Sequence, residues 1–349
     1  LGLIVMFVTL KLYNKIFLKI QLHEILKLGI ADYIVYENNL IETIKNNYNT
    51  HYNEIYSDKV SENMSYYTIL PRDYDENKTY PALILLHGVN DKACDWTKKA
   101  RLGEIYYKLL EEGNIEPMIL ILPESGSNGK SWYTNWYKQN NKKYEDFFMG
   151  EFLENIKNTY KISKFSIGGF SMGGYGSLKF SLKNLDSFVS VSSLAGAINF
   201  PRLFISELKG LGILRILKTN FLMTRSANSK HFTLVFGEEL KNIRRENVYY
   251  ILRQKCKSNL NEVKKIKFLL SVGEKDNSSY TMLYQWEDVL WEMKKQNLNY
   301  KARIVKGEGH FWTYVEKELP YVLTFHSDSF KEAELMNKNI LLGVSGGIA

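Results

Sequence analysis

Short apolar runs recur along the chain from residue 82 onward, and each is separated from the next by a longer segment. Runs of this length without alternating polar residues are typical of strands buried on both faces of a sheet. Strands that alternate with helices predict an α/β fold with a mostly parallel central sheet flanked by helices. The predicted strands are Ala82–Leu86, Met118–Leu122, Phe165–Gly168, Phe188–Ser193, Phe268–Val272 and Tyr300–Val305. The predicted helices lie near Ala100–Glu112, Tyr144–Tyr160, Gly173–Lys183 and Tyr280–Lys295.

The N-terminal segment departs from this alternation. Leu1–Leu10 is apolar but ends at Lys11, so it is too short for a conventional membrane span. It has the length of the apolar part of a signal peptide, without basic residues before it or a small-residue cleavage site after it. Apolar residues recur every three or four positions from Tyr13 to Ile30, which predicts an amphipathic helix. We expect a cytoplasmic protein, with secretion or peripheral membrane contact through residues 1–30 as the alternatives.

A second departure is Ile198–Lys230, which directly follows a predicted strand and is rich in large apolar side chains. We interpret it as a helical cap inserted over the carboxyl edge of the sheet; an ordinary helix packed on the sheet is the alternative. The predicted organisation is an amphipathic helical extension over residues 1–49, an α/β domain over residues 50–330 with the cap around 198–230, and a C-terminal tail over residues 331–349.

The composition limits the classes of function. The chain has 349 residues, of which 45% are hydrophobic, enough for a full core. Two cysteines, Cys94 and Cys256, exclude a four-thiolate zinc site. The formal net charge is +8, and residues 201–270 alone hold 15 basic and 5 acidic side chains. No nucleic-acid-binding motif accompanies this charge, so we interpret it as a solvated basic surface and expect no nucleic-acid partner.

A glycine–serine motif follows the predicted strand Phe165–Gly168. Gly169, Ser171 and Gly173 have the spacing Gly-x-Ser-x-Gly, just before a predicted helix. This is the setting of a nucleophile elbow, in which serine occupies a turn too tight for side chains two residues to either side. The N–H of the next residue, Met172, would face the attacked carbonyl from the start of the helix. Ser171 is therefore the candidate nucleophile, and a glycine-rich turn with a solvated serine is the alternative.

A serine nucleophile needs a base and an acid that orients the base. Of the six histidines, His310 lies in a glycine-containing loop after the last predicted strand, late in the chain as the Ser…Asp…His order requires. The acid should follow the preceding strand, and Asp276 lies there. Glu274 and Asp288 are the alternatives, although the pattern places Asp288 on a helix. Asp276, His310 and Ser171 are the candidate catalytic residues.

A second backbone donor for an oxyanion should come from the loop after an early strand. Ala82–Leu86 runs into His87, Gly88 and Val89, and Gly88 lets the chain turn toward the serine. We assign this donor to the Val89 N–H, beside that of Met172, with the Gly88 N–H as the alternative. The candidate residues for the substrate pocket are Gly88, Trp132, Tyr133 and Trp312. This chemistry needs no metal and no organic cofactor.

Seven segments together make residues 50–326 resemble the esterase D family of α/β-hydrolases. The family includes S-formylglutathione hydrolases, tributyrin, feruloyl and acetyl-xylan esterases, and the related mycolyltransferases. The resemblance implies an α/β-hydrolase fold, a triad of Ser171, Asp276 and His310, and an oxyanion hole formed by Val89 and Met172. The segments are Leu70–Tyr74, Tyr80–Pro81, Asp95–Trp96, Ser131–Trp136, Gly169–Gly176, Gly273–Asp276 and Gly307–Trp312.

The C-terminal residues 336–349 resemble the opening strand and loop of the phosphopantothenoylcysteine decarboxylase flavoprotein. That fold binds FMN, but a segment of this length cannot build it. We therefore expect no flavin, and a chance apolar tail is the alternative.

The sequence predicts a serine carboxylesterase that hydrolyses short-chain acyl esters or thioesters through an acyl-enzyme intermediate. An acyltransferase on the same fold is one alternative. A non-catalytic hydrolase-fold module that binds through the basic residues 201–270 is another. The expected partner is a small-molecule ester, and the sequence specifies no oligomeric state.

Overall fold

The computed structural model describes residues 49–203, 227–276 and 281–345. The predicted helix from Tyr13 to Ile30 and most of the predicted cap lie outside the described residues. Contacts divide the chain into two units, Leu1–Thr50 and His51–Ala349, and the architecture below is that of the second. Among the helices in these ranges, none combines the length and the hydropathy that crossing a bilayer requires.

The described strands form a single eight-stranded sheet in the order β1-β2-β4-β3-β5-β6-β7-β8. β2 pairs with β4 in the antiparallel sense. The pairs β4–β3, β3–β5, β5–β6, β6–β7 and β7–β8 are all parallel. The strands are β1 (Thr50–Ser57), β2 (Glu62–Ile69), β3 (Tyr80–Leu86), β4 (Ile119–Pro123), β5 (Ile162–Phe170), β6 (Ser190–Leu194), β7 (Lys267–Gly273) and β8 (Tyr300–Val305).

Helices cover the sheet and connect its parallel strands. They are α1 (Asp95–Lys98), α2 (Leu102–Glu111), α3 (Tyr144–Asp146), α4 (Leu153–Thr159), α5 (Met172–Lys183), α6 (Phe200–Leu203), α7 (Ala227–Phe236), α8 (Leu240–Glu246), α9 (Val248–Ser258), α10 (Leu260–Lys265), α11 (Met282–Lys295) and α12 (Trp312–Ser345). A π-helical stretch, Phe147–Phe152, joins α3 to α4. The part of the C-terminal tail up to Ser345 continues α12.

The predicted α/β class is confirmed, and each of the six predicted strands corresponds to one of β3 to β8. The four predicted helices correspond to α2, the α3–α4 segment, α5 and α11. β1 and β2 were not predicted from the sequence. In β2, buried positions alternate with more exposed ones, and in β1 only the two end residues are buried, so neither strand forms a continuous apolar run. Such alternation is what a strand near the edge of a sheet shows, because one of its faces meets solvent.

The parallel strands end at one edge of the sheet, which brings their following loops together. Leu86, the last residue of β3, is level with Gly169 near the end of β5. Phe170 at the end of β5 is level with Leu194 at the end of β6. Ligands of open α/β sheets bind beyond the carboxyl ends of the strands. The loops after β3, β5, β7 and β8 all leave from this edge.

A buried histidine joins α12 to the centre of the sheet. His326 Nδ1 lies 2.7 Å from Ser190 Oγ and Nε2 lies 2.9 Å from Ser192 Oγ, both on β6. Burial lowers the pKa of His326 to about 3. The folded protein therefore holds this imidazole neutral at pH values where an exposed histidine takes up a proton.

We expect His326 to make stability depend on pH. Below about pH 6.5 the unfolded chain binds a proton at His326, whereas the folded chain keeps this imidazole neutral. The free energy of unfolding therefore decreases as the pH falls toward 3. Lowering the pH from 7 to 5 should decrease the free energy of unfolding by about 2 kcal/mol through His326 alone. Denaturant unfolding of the wild type and of His326→Asn at both pH values measures it. Equal pH dependence in the two proteins would contradict the prediction, because all other ionisable groups are shared.

Candidate active site

Ser171 stands in a strained turn between β5 and α5. Its φ of 56° and ψ of −115° lie outside the regions that side-chain-bearing residues normally adopt. The turn needs its flanking glycines because a Cβ on Gly173 would lie 2.0 Å from the Leu86 carbonyl oxygen. The Ser171 N–H donates to the Leu194 carbonyl at 2.9 Å, which ties the turn to β6. The chain therefore holds Ser171 in the geometry of a nucleophile elbow.

The three candidate catalytic side chains form one continuous line of hydrogen bonds. His310 Nε2 lies 2.9 Å from Ser171 Oγ, and His310 Nδ1 lies 2.7 Å from Asp276 Oδ2. Because a carboxylate only accepts, Nδ1 carries the proton and Nε2 is left to accept from the serine hydroxyl. Ser171 and Asp276 are buried, and the His310 side chain is partly exposed. The arrangement can move a proton from Oγ to Nε2 while the carboxylate stabilises the imidazolium.

Backbone hydrogen bonds and a ring contact hold the loops that carry Asp276 and His310 in place. The Asp276 N–H donates to the Gly273 carbonyl at 3.1 Å, and the Lys275 N–H donates to the Glu308 carbonyl at 2.7 Å. The His310 ring packs against Phe170 at 4.9 Å between ring centroids. These contacts hold the β7 and β8 loops against the end of β5.

The other two acids considered from the sequence have different partners. Glu274 accepts from the Gly307 N–H at 2.8 Å, within the same pair of loops. Asp288 lies on α11 and accepts from the side-chain amide of Asn199 at 2.8 Å. Of the three acids, it is Asp276 that contacts His310.

The loop after β3, residues 87–91, passes directly beside the serine. A Cβ on Gly88 would lie 3.4 Å from Ser171 Cβ. The Gly88 carbonyl accepts from the Asp91 N–H at 3.3 Å and lies 2.8 Å from His87 Nδ1. His87 Nε2 accepts from the Ser125 N–H at 2.9 Å, so Nδ1 carries the proton and donates to Gly88. The peptide is planar and trans, so the Val89 N–H points away from the Gly88 carbonyl.

The second predicted donor, Met172, is the first residue of α5. The first N–H groups of a helix have no acceptor within the helix and carry its positive dipole end. Val89 is 39% exposed and Met172 is buried. Val89 directly follows Gly88, which lies beside Ser171, and Met172 directly follows Ser171 at the start of α5.

The predicted pocket residues lie in different surroundings. Trp132 is partly exposed. Tyr133 is fully buried and its hydroxyl donates to the His87 carbonyl at 3.1 Å. Its ring therefore supports the β3 loop from behind and offers no surface to a ligand in this structure. Trp312 is partly exposed, lies two residues after His310 and contacts Phe170 at 5.3 Å between centroids. The ring neighbours of Trp132 are Tyr175, Phe200, Phe232 and Phe236.

A buried lysine that was not predicted from the sequence holds the Trp132–Tyr133 segment. Lys179 Nζ donates to the Tyr133 carbonyl at 2.7 Å, and it contacts Glu145 at 3.0 Å. Burial is the largest influence and leaves the pKa of the Lys179 ammonium below its ordinary value, although the nearby carboxylates of Glu145 and Glu246 act in the opposite direction. The available signal was a lysine between the apolar residues of α5, a position that a solvated lysine does not take. Lys179 stabilises a segment in which Trp132 and Tyr133 both have positive φ.

No group of three or more histidine, cysteine or carboxylate side chains is arranged to hold a metal ion within residues 49–203, 227–276 and 281–345. Cys94 and Cys256 are both free and buried.

Comparisons with known proteins find esterases that are similar to this chain. Esterase Rv1288 of Mycobacterium tuberculosis (strain H37Rv) is 32% identical over 143 residues, which cover 39% of this chain and 30% of that protein. The acetyl esterase of Caldicellulosiruptor saccharolyticus is 30% identical over 158 residues, which cover 41% of this chain and 54% of that protein. The chain thus matches less than two thirds of either relative's length.

A solved structure and a family model complete the comparison. A ferulic acid esterase structure superposes with a TM-score of 0.64 and 20% identity, covering 80% of this chain and 98% of that one. This likeness shows the α/β-hydrolase fold. The model of the Esterase family, described as Putative esterase, matches residues 57–331. Since this match extends over most of the sequence, from the end of β1 into α12, the chain belongs to the Putative esterase family.

Proposed function

We propose that the protein is a carboxylic ester hydrolase that works through a Ser171–His310–Asp276 triad. The observation that carries the proposal is the unbroken line of hydrogen bonds from Ser171 Oγ through His310 to Asp276. The strained turn at Ser171 and membership of the esterase family support it. A serine in this setting is an activated nucleophile, because the neighbouring imidazole accepts its proton as the oxygen attacks.

The reaction passes through an acyl-enzyme. Ser171 Oγ attacks the ester carbonyl while His310 Nε2 takes the hydroxyl proton. The Val89 and Met172 N–H groups stabilise the oxyanion of the tetrahedral intermediate. His310 then gives its proton to the leaving alcohol or thiol, and the acyl group stays on Ser171. Water that loses its proton to the same nitrogen attacks the acyl-enzyme and releases the acid.

We infer that the substrates are short-chain acyl esters or thioesters. Ser171 is only 7% exposed, so a small acyl group reaches Oγ more readily than a long one. Trp132 and Trp312, both partly exposed, are the predicted aromatic walls of the pocket. One curated relative is named an acetyl esterase, which supports the same substrate class.

The direct test is covalent labelling with a fluorophosphonate probe followed by peptide mapping. Cleavage after Lys164 and Lys179 releases residues 165–179, which contain Ser166, Ser171 and Ser177. We expect labelling at Ser171 alone in the folded protein and none after denaturation, because only an activated serine reacts. Absence of labelling, or labelling of Ser166 or Ser177, would contradict the proposal. Product analysis with a competing alcohol separates hydrolysis from acyl transfer.

A further inference from the structure

A hydrogen bond joins the loop after β3 to the loop that carries His310. The Trp312 indole Nε1–H donates to Asp91 Oδ1 at 3.1 Å. β3 and β8 are not neighbours, because β5, β6 and β7 lie between them in the sheet. The bond therefore connects two loops whose strands have no hydrogen bond to each other.

Asp91 also shapes its own loop. Its N–H donates to the Gly88 carbonyl at 3.3 Å, which closes the turn that contains Val89. Its Oδ2 lies so close to Gly88 that a Cβ there would be 2.6 Å away. The next residue back, Asn90, donates its N–H to the Gly129 carbonyl at 2.9 Å. The Asp91 carboxylate thus lies directly against the residue that precedes the predicted donor N–H of Val89.

Trp312 contacts two aromatic rings, one of which packs on His310, the candidate base. Its ring meets Phe170 at 5.3 Å and Trp96 at 5.3 Å between centroids, and Phe170 packs on the His310 ring. Trp312 is the first residue of α12, so its indole ring lies next to the end of the loop that holds His310. Trp312 therefore contacts Phe170, the ring that packs on the imidazole, and is joined to His310 by two peptide units.

We propose that Asp91 is a positioning residue: by binding Trp312 Nε1, it sets the placement of the Val89 N–H relative to His310 and Ser171. The inference rests on the proposed function. Transition-state stabilisation requires donor, nucleophile and base to be held within a fraction of an ångström, and such placement is worth large factors in rate. Asp91 touches none of the reacting atoms and acts through the Gly88 turn and through Trp312.

The test compares Asp91→Ala with Asp91→Asn and Trp312→Phe. Alanine removes the acceptor, asparagine keeps an oxygen for the indole, and phenylalanine keeps an aromatic ring but has no N–H. We expect Asp91→Ala to lower kcat for p-nitrophenyl acetate by about tenfold with KM within about twofold of wild type. Asp91→Asn should retain at least about half of wild-type kcat, because the bond to Trp312 remains.

A double-mutant cycle isolates the bond itself. If Asp91 acts through Trp312, the double variant Asp91→Ala/Trp312→Phe should be no slower than the slower single variant. Lys265→Met is the control for loss of a charged side chain, because Lys265 pairs with Glu262 at 2.7 Å at the end of α10, just before β7 begins and so at the opposite edge of the sheet from the bond between Asp91 and Trp312. It should keep kcat within about twofold of wild type.

Three results would overturn the inference: wild-type kcat in Asp91→Ala, equal losses in the alanine and asparagine variants, or additive losses in the cycle. Unfolding midpoints are measured for each variant, and if Asp91→Ala does not fold, Asp91→Asn and Trp312→Phe carry the comparison. Ser171→Ala is assayed alongside. An inactive Ser171→Ala with a fully active Asp91→Ala rejects only this inference, whereas an active Ser171→Ala rejects the proposed function.

Discussion

Ser171→Ala is expected to lower kcat/KM for p-nitrophenyl acetate and butyrate by about 10⁴-fold or more. The substitution removes the only atom that forms the covalent bond to the acyl group. It leaves the N–H groups of Val89 and Met172 in place, because both are backbone donors. The residual rate is then that of water attacking an ester bound near an intact oxyanion hole, well below acyl-enzyme turnover.

Ser181→Ala is the matched control for this experiment. Ser181 lies on α5, the helix that follows Ser171, is buried, and donates its hydroxyl to the Ser177 carbonyl within that helix. Removing such a hydroxyl costs little, since the carbonyl keeps its backbone partner. The measurement is the initial rate of p-nitrophenyl ester hydrolysis by the two variants and the wild type, and Ser181→Ala should hydrolyse the esters at close to the wild-type rate. Hydrolysis by Ser171→Ala at the wild-type rate would remove Ser171 from the mechanism.

Asp276→Asn should have the second largest effect, a loss of about 10³- to 10⁴-fold in kcat. Asparagine has nearly the shape of aspartate, so the loop keeps its form. Its amide nitrogen, when it faces His310 Nδ1, favours the tautomer with the proton on Nε2, which cannot accept from Ser171. The missing negative charge also withdraws stabilisation from the imidazolium that forms during attack.

The comparison variants are Asp288→Asn and Glu274→Gln, the two other acids near the predicted position. Asp288 contacts Asn199 and Glu274 contacts the Gly307 N–H, so neither change alters the partner of His310. Both should keep kcat within about tenfold of wild type. A small loss in Asp276→Asn together with a large loss in either of the others would transfer the orienting role to that acid.

Several features of this site were accessible from local sequence patterns. The run Phe165–Gly168 followed by Gly169, Ser171 and Gly173 indicated the elbow, because both strand burial and turn sterics depend on neighbouring residues. In the structure these glycines meet backbone atoms at distances that exclude a Cβ. The order of serine, acid and histidine along the chain also indicated His310 as the base and favoured Asp276 as the acid, with Glu274 and Asp288 as alternatives.

Other features had no local signature. Tyr133 was predicted to line the pocket, yet its hydroxyl binds the His87 carbonyl in the interior. An aromatic residue beside a tryptophan reads the same from the sequence whether it faces a ligand or the core. The buried Lys179 and the bond between Asp91 and Trp312 depend on partners many residues away, and the latter pair is 221 positions apart.

By itself, the sequence determined the α/β class, the six strands β3 to β8 and the turn that presents Ser171. Each of these follows from apolar runs, helical spacing or glycine placement within a few residues, where short-range sterics decide the conformation. Only the tertiary structure decided that Asp276 and not Glu274 meets His310, and that Asp91 links the two loops beside the serine. These contacts depend on the order of the strands in the sheet and on side-chain directions, and both are set by packing across the whole domain.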